Sequence, residues 1–288
     1  MKTLLRKDIP EDFVYYRTGS MVFYEYLKQF RFYIVEKVHK RGDFFSALQI
    51  LPGFWSITAE KLDIELTKEN LSKYGIHHGI IWWTPMRKIV RPKGWIKMPT
   101  WWVKRDIHSS RSAFSILDRE DYWQKWSPKA RAHRRRVLEL INDWKITIKN
   151  GISLDDFLKI YTETPVRDSD KGFRLRLTKK LFERTKTDYR MYVIEVEGRI
   201  LAGALFIDMG TTSEYWVSFY HRDGYPYHLG IAMMDRWFLD SYKKWVKYCD
   251  LDHMRDSWQS LGYSWYTKFK ESLTDYDVYF HDMWIKLF

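Results

Sequence analysis

The sequence predicts a mixed α/β fold, and three observations lead to that class. The 288 residues are 45% hydrophobic and 18% aromatic, which is enough apolar side chain for a sizeable core and excludes a disordered chain. After residue 188, runs of β-branched and aromatic residues alternate with glycine turns, as in an antiparallel meander. A long helical pattern separates the third run from the fourth, which is the order of a β-α-β crossover.

Local signals bound the elements of the second half. Ser153 is placed to cap a helix, and the turn Glu197-Gly198-Arg199 is typical of a hairpin. Apolar residues at spacings of three and four predict a long helix after the meander. The predicted elements are helices 154–162, 177–185, 227–247 and 264–273, and strands 189–196, 200–208, 213–220, 248–252 and 277–280.

The first half carries weaker signals. Aromatic and β-branched residues dominate positions 13–58, but they alternate poorly and define no strand boundaries. A break is expected at Ser127-Pro128, because serine caps helices and proline suits the first helical position. The remaining expected elements are a helix at 67–74, strands at 79–84 and 100–105, and a helix over 118–143.

The net charge of +12 is unevenly distributed along the chain. Residues 201–288 carry 9 basic and 12 acidic side chains, so all of the excess positive charge precedes them. Basic clusters attract phosphate-bearing partners, so we expect a polyanionic substrate, although a solvated helix face explains each cluster alone. The two clusters are Lys125, Lys129, Arg131, Arg134, Arg135 and Arg136, and Lys171, Arg174, Arg176, Lys179, Lys180, Arg184 and Lys186.

Several classes of protein are excluded by what the sequence lacks. A single cysteine, Cys249, excludes a disulfide framework and a cysteine-based zinc site, and no metal site is expected. Neither G-x-x-x-x-G-K-[ST] nor G-x-G-x-x-G occurs, which argues against a nucleotide-hydrolysing or a dinucleotide-binding domain. The longest uncharged stretch, residues 44–59, is too short and too polar for a transmembrane helix. The first twelve residues contain no secretion signal, so a cytoplasmic protein is expected.

Two segments carry a more specific signal. The run Tyr227-His228-Leu229-Gly230-Ile231-Ala232 opens the long predicted helix directly after a strand. It overlaps the acetyl-CoA loop of GNAT acetyltransferases, Q/R-x-x-G-x-G/A, at Gly230 and Ala232, whereas Tyr227 replaces the usual Gln or Arg. The C-terminal segment combines a strand that ends in Asp252-His253, a Gly262-Tyr263 pair, and Lys268-Phe269-Lys270-Glu271 on a helix.

This C-terminal set resembles the signature of the Fem-type aminoacyltransferases, which are GNAT-fold enzymes that build peptidoglycan interpeptide bridges from aminoacyl-tRNA. The basic run 127–136 and the hairpin 192–206 are also similar to segments of that family. The resemblance covers residues 118–288 best, and His253 replaces the glycine usual after the strand's aspartate. It implies two tandem GNAT-like halves, which we place at residues 1–145 and 146–288.

The resemblance also implies roles for individual residues. Lys270 is the expected active-site cation, facing a phosphate or the developing oxyanion, with Phe269 beside it. Asp252 and His253 are candidates to orient or deprotonate the acceptor amine. The expected substrate-binding residues are Tyr220, Tyr225, Tyr227 and Gly230 in the groove, and Arg134, Arg135, Arg136, Lys179 and Lys180 toward phosphates of tRNA or of a nucleotide-linked muropeptide.

Three functions remain open at this point. The first is transfer of an aminoacyl group from aminoacyl-tRNA to an amine of a peptidoglycan precursor, with no cofactor. The second is N-acetyl transfer from acetyl-CoA. The third is a non-catalytic basic module on a GNAT scaffold that binds nucleic acid or an anionic surface, and peripheral membrane contact is compatible with the same charge.

Overall fold

A computed structural model of the chain divides into two compact units. Unit 1 comprises Ala113–Asp252 and Lys268–Tyr276, and unit 2 comprises Lys2–Ser112, His253–Thr267 and Asp277–Phe288. The residues that the structure describes are 2–4, 33–37, 44–51, 53–59, 68–73, 75–83, 90–91, 93–97, 111–164, 178–179, 188–254, 267–279 and 284–288.

The elements in this part of the chain are strands, α-helices and two short 3-10 helices. The strands are β1 (Lys2–Leu4), β2 (Tyr33–Lys37), β3 (Phe44–Leu51), β4 (Phe54–Ala59), β5 (His78–Trp83), β6 (Ile96–Lys97), β7 (Arg111–Ile116), β8 (Ile146–Asn150), β9 (Asp188–Val196), β10 (Arg199–Met209), β11 (Thr212–Tyr220), β12 (Tyr248–Met254), β13 (Tyr276–Tyr279) and β14 (Trp284–Leu287). The α-helices are α1 (Lys68–Ser72), α2 (Pro128–Asn142), α3 (Leu154–Glu163), α4 (Leu229–Lys243) and α5 (Lys268–Glu271), and the 3-10 helices are Tyr122–Lys125 and Arg222–Tyr227.

Unit 1 is built on a mixed sheet. Six of its strands are neighbours in the order β7-β12-β11-β10-β9-β8. Strands β8 to β11 pair antiparallel in succession, whereas β11 and β12 pair parallel and are joined through α4. The predicted meander and β-α-β crossover are therefore confirmed, and so is the mixed α/β class.

Short-range chemistry explains where the elements of unit 1 begin. The Ser127 hydroxyl accepts a hydrogen bond from the Ala130 N–H at 3.2 Å, and α2 starts at Pro128 as predicted. Ser153 caps α3 in the same way. Glu197 and Gly198 both have positive φ, which is the two-residue turn that matches the twist of the hairpin β9–β10.

The core of unit 1 is aromatic. The rings of Phe206 and Trp237 stack at 4.4 Å between the sheet and α4, and both side chains are fully buried. Gly203 on β10 makes room for a second cluster, because a Cβ there would lie 2.3 Å from a ring carbon of Phe219. Phe219 in turn packs against Phe157 of α3. These aromatic side chains therefore form the core of unit 1.

Unit 2 contains a second sheet, with the strand order β2-β3-β4-β5-β14-β6. Its strand β14 comes from the C-terminus of the chain and pairs antiparallel with β5, from Leu287 opposite Ile80 to Trp284 opposite Trp83. The two units are therefore discontinuous in sequence. The predicted boundary after residue 145 falls inside unit 1, between α2 and β8, and the division into two GNAT-like halves stays a prediction.

Several predicted boundaries need correction. The long helix spans Leu229–Lys243 rather than 227–247, because His228 and Trp245 at its ends have positive φ. In the described part of the chain the last helix is Lys268–Glu271, so it ends before the predicted residue 273, and its predicted start at 264 lies outside the described residues. Strand β8 was not predicted; it is a short strand in which only Ile146 is buried. The expected strand at 100–105 and most of the helix at 177–185 lie outside the described residues.

Candidate active site

Strands β11 and β12 stop pairing before either strand ends. Their register runs from Thr212 opposite Tyr248 to Glu214 opposite Asp250, and within the described chain it ends there. On its other side β11 stays paired with β10 up to Tyr220. Parallel strands that continue after their pairing stops diverge, so the sheet opens between their carboxyl ends. Open α/β sheets bind ligands at that edge.

Lys270 lies where this opening starts. Its side chain is 2% exposed, and its Nζ is 5.9 Å from the ring centroid of Tyr215, the first β11 residue beyond the paired segment. The Lys270 carbonyl accepts hydrogen bonds from the Leu273 N–H at 3.0 Å and the Thr274 hydroxyl at 2.9 Å, which fix the turn of α5. An ammonium group this far from bulk water needs groups that stabilise positive charge, and the face of a tyrosine ring is one.

The end of β12 has an unusual backbone. Asp252 has a φ of 60°, a conformation that aspartate tolerates better than most residues. Its N–H donates a 2.8 Å hydrogen bond to Oδ1 of Asp250, a side chain that is fully buried. Asp252 itself is half-buried. The strand end is thus held in a defined geometry, as is common at functional sites. The side chain of His253 lies outside the described part of the chain.

The first turn of α4 is closed by a tyrosine. The Tyr220 hydroxyl accepts a hydrogen bond from the Gly230 N–H at 3.3 Å and donates one to the Gly224 carbonyl at 3.2 Å. The Phe269 ring covers the same turn, because a Cβ on Gly230 would lie 3.3 Å from one of its carbons. The Tyr225 ring is 5.4 Å from that of Tyr220. Four predicted site residues therefore meet at one place.

Burial keeps the Tyr220 hydroxyl protonated. Burial raises the pKa of Tyr220 to about 12, while hydrogen bonds from the backbone N–H groups of Gly230 and Leu229 oppose the rise. The phenol is consequently neutral at physiological pH. Backbone N–H groups at the start of a helix are ordinarily available to a bound anion. In this protein the Tyr220 hydroxyl accepts the hydrogen bond of the Gly230 N–H instead.

The basic helix α2 is tied to α4 by one of its arginines. Arg134 Nε donates to Oδ1 of Asp235 at 2.6 Å, and the Tyr122 hydroxyl donates to the same oxygen at 2.8 Å. The Arg134 guanidinium also lies 4.8 Å from the centroid of the Trp123 ring. Arg134 thus joins two helices, and Arg135 beside it is exposed.

The other predicted phosphate ligands lie on the surface. Arg136 Nη1 is 3.0 Å from Oε2 of Glu139, one turn along α2. Lys179 Nζ is 3.6 Å from Oδ1 of Asp155, and both side chains are more than half exposed. Lys180 lies outside the described residues. Exposed pairs of this kind contribute little to stability.

Two histidines that the sequence did not single out are stacked between α2 and the start of α4. The rings of His133 and His228 are 3.8 Å apart and inclined by 7°. Burial lowers the pKa of both imidazoles; Lys129 lowers it further for both, and for His228 so do His133 and Arg136. Only the fold brings these two histidines together, so no local signal could have paired them.

A buried polar network holds β10, β11 and α4 together where β11 and β12 are still paired. Arg190 Nη2 donates to Asp208 Oδ1 at 2.6 Å, to Ser213 Oγ at 2.8 Å and to Ser241 Oγ at 2.7 Å. Ser213 is the β11 partner of Cys249 on β12. Burial raises the pKa of the Cys249 thiol, which stays protonated and buried in the core, as expected.

The sequence of the site region matches a known family. Residues 128–260, which contain α2, the meander, α4 and β12, match the pattern of the GNAT acetyltransferase domain. These residues have the GNAT fold. The chain is accordingly an enzyme of the acyltransferase type. No curated protein matches the sequence.

Solved structures extend the likeness of fold beyond the GNAT domain itself. FemX is similar over 93% of this chain and 91% of its own, with a TM-score of 0.66 and 10% identity. A conserved protein of unknown function from Bacteroides thetaiotaomicron follows, with a TM-score of 0.55, 10% identity and coverage of 93% and 90%. The C-terminal domain of a putative lysylphosphatidylglycerol synthetase from Agrobacterium fabrum is similar over 92% of this chain and 86% of its own, with a TM-score of 0.52 and 10% identity. The fold is therefore Fem-like.

Within the GNAT domain and α5, the structure assembles part of the predicted site. Tyr220, Tyr225, Gly230 and Phe269 lie together, and Tyr227 ends the adjoining 3-10 helix, half-buried. Across the described residues, no group of three or more His, Cys, Asp and Glu side chains is placed to hold a metal ion. No helix among them is long and apolar enough to cross a membrane.

Proposed function

We propose that this protein transfers an aminoacyl group from aminoacyl-tRNA to an amine of a peptidoglycan precursor. The observation that carries the proposal is the place of Lys270, a fully buried lysine at the point where β11 and β12 diverge. A cation there faces the edge at which a GNAT domain opens to its substrates. The Fem-like fold supports the same reading.

The chemistry is aminolysis of an ester. The acceptor nitrogen attacks the ester carbonyl carbon, and the carbonyl oxygen becomes a tetrahedral oxyanion that Lys270 stabilises. Collapse forms the amide C–N bond and breaks the ester C–O bond, and the proton lost by the amine ends on the ribose hydroxyl of the released tRNA. Asp252, at the strained end of β12, orients the amine or takes its proton, with His253 as the second candidate.

The closed first turn of α4 favours an ester donor over acetyl-CoA. Pyrophosphate binding at a helix start requires free backbone N–H groups and open space above them. Tyr220 occupies the Gly230 N–H, and Phe269 covers the space. An acyl-CoA-dependent N-acetyltransferase, the second candidate, would have to displace both side chains.

The charge distribution supports a polyanionic substrate. The excess of basic residues precedes residue 201, and the exposed Arg135 and Arg136 of α2 are available for phosphates. A tRNA donor and a nucleotide-linked muropeptide acceptor both carry phosphates and are both cytoplasmic, and we place the enzyme there. A peripheral contact with anionic lipid would use the same residues.

The experiment that separates the candidates compares donors. The protein is incubated with a lysine-containing muropeptide and either charged tRNA or acetyl-CoA, and the mass added to the acceptor is measured. Mass equal to an aminoacyl residue, with charged tRNA alone, is the expected result. An acetyl group added from acetyl-CoA would replace the proposal with the second candidate.

A phosphatidylglycerol acceptor is tested in parallel, because one protein of similar fold is a putative lysylphosphatidylglycerol synthetase. Aminoacylation of that lipid rather than of the muropeptide would contradict the proposed acceptor. Binding of tRNA with no transfer to any acceptor would favour a non-catalytic basic module. That binding would weaken steeply with salt, since it rests on phosphate contacts.

A further inference from the structure

We infer that the stacked pair His133 and His228, with Lys129 and Arg136, forms a proton-linked binding site for the phosphate backbone of RNA. The inference takes its partner class from the proposed tRNA donor. The two imidazoles, 3.8 Å apart, stack face to face and carry no charge between them when neutral. A phosphate placed against the two rings favours their protonation, because its negative charge stabilises the imidazolium form.

The helix geometry sets the size of the site. Lys129, His133 and Arg136 are spaced i, i+4 and i+7 on α2, so they form one stripe along a single face of the helix. At 1.5 Å per residue the stripe is about 10 Å long. A row of this length spans more than one phosphate of a strand, which fits a nucleic-acid backbone better than a single phosphate. His228 adds a fourth basic group from the start of α4.

The charges that act on the two rings are all positive in the described part of the chain. Lys129 acts on both imidazoles, and Arg136 acts on His228. The nearby carboxylates are already paired: Glu139 pairs with Arg136 of the site itself, and Asp235 pairs with Arg134. In the 3-10 helix before His228, Asp223 is 3.1 Å from Arg199. The site therefore carries four basic groups against one carboxylate, Glu139, whose exposed pair with Arg136 a phosphate can replace.

The direction of the proton linkage follows from this environment. In the free protein the pKa of each imidazole is lowered, so both rings are neutral near pH 7. Bound phosphates raise the pKa of both, and binding therefore takes up protons. Affinity is greatest below the free-state pKa and falls as the pH rises through the bound-state pKa. A rise of about one unit in one ring strengthens binding about tenfold.

The test measures the affinity for an uncharged tRNA transcript by fluorescence anisotropy at pH 6, 7 and 8 and constant ionic strength. The wild-type protein should bind about tenfold or more tightly at pH 6 than at pH 8. The double variant His133→Gln/His228→Asn should lose this dependence and vary by less than about twofold. Asparagine is chosen at 228 because it tolerates the positive φ there. His77→Gln, at an exposed histidine of unit 2, is the matched control and should behave as wild type.

A second variant keeps the inference testable if the double variant folds poorly. Lys129→Gln, at an exposed position of the stripe, should weaken tRNA binding at every pH and reduce the salt slope by about one. Wild-type affinity that does not change with pH, or a pH dependence that survives in the double variant, overturns the inference. So does the same pH dependence toward phosphatidylglycerol vesicles but not tRNA. These are binding readouts, so a failure of aminoacyl transfer alone would refute the proposed function and leave this result standing.

Discussion

Tyr220→Phe is the most informative single change, because it removes one oxygen atom from the first turn of α4. The hydroxyl makes two hydrogen bonds, of 3.3 Å with the Gly230 N–H and 3.2 Å with the Gly224 carbonyl. Both are long, so each contributes at the lower end of the usual range, about 0.5–1 kcal/mol. We expect a loss of about 1–2 kcal/mol in the free energy of unfolding, which lowers Tm by a few degrees, about 2–4 °C per kcal/mol. Tyr242→Phe, at the other end of α4, is the control and should change Tm by much less.

The same substitution tests donor selection when it is combined with Phe269→Ala. Together the two changes free the Gly230 N–H and uncover the turn, so acetyl-CoA should then stabilise the protein. Ligand at about ten times its Kd adds about 1.4 kcal/mol, which is readily visible by differential scanning fluorimetry. The wild-type protein should show no such shift. A wild-type shift as large as that of the double variant would refute the idea that Tyr220 and Phe269 close this turn to CoA.

Four further substitutions test the packing and the helix ends of unit 1. Gly203→Ala places a methyl group against a buried phenylalanine ring of β11 and should destabilise by about 1–3 kcal/mol in chemical denaturation. Trp144→Gly and Trp245→Gly should each raise Tm, because both tryptophans are 88% exposed and have the positive φ that glycine adopts without strain; an unchanged or lower Tm would contradict this. Arg190→Met leaves the Asp208 carboxylate without its buried partner and should cost about 3–5 kcal/mol, and a loss below about 1 kcal/mol would show that the network is dispensable.

The fold of the second half could be predicted because its signals are local. Ser153 caps its helix by bonding an N–H three residues away, and the turn at Gly198 sets the register of the hairpin. Helix caps and tight turns involve residues only a few positions apart, so they can be identified without the rest of the chain. Strand β8 was missed for the opposite reason: only Ile146 in it is buried, and it is defined by pairing with β9.

The sequence nominates individual candidate residues for the site but not their arrangement. The resemblance to Fem-type enzymes singled out Lys270 and Phe269, yet nothing in the sequence showed that Phe269 covers Gly230. The contact between Arg134 and Asp235 and the stack of His133 on His228 join α2 to the region of α4. These contacts depend on how two helices pack, and their chemistry cannot be deduced from either helix alone.

The role of Lys270 is tested most directly by the rate of aminoacyl transfer by a Lys270→Met variant, which keeps much of the buried stem and removes the charge. Lys268→Met, on the exposed side of the same turn, is the matched control. With charged tRNA and a lysine-containing muropeptide, we expect Lys270→Met to lower the rate of product formation by about 10²–10³ and Lys268→Met to leave it near wild type. If Lys270→Met transfers the aminoacyl group at the wild-type rate, Lys270 does not stabilise the oxyanion and the account of the site is wrong.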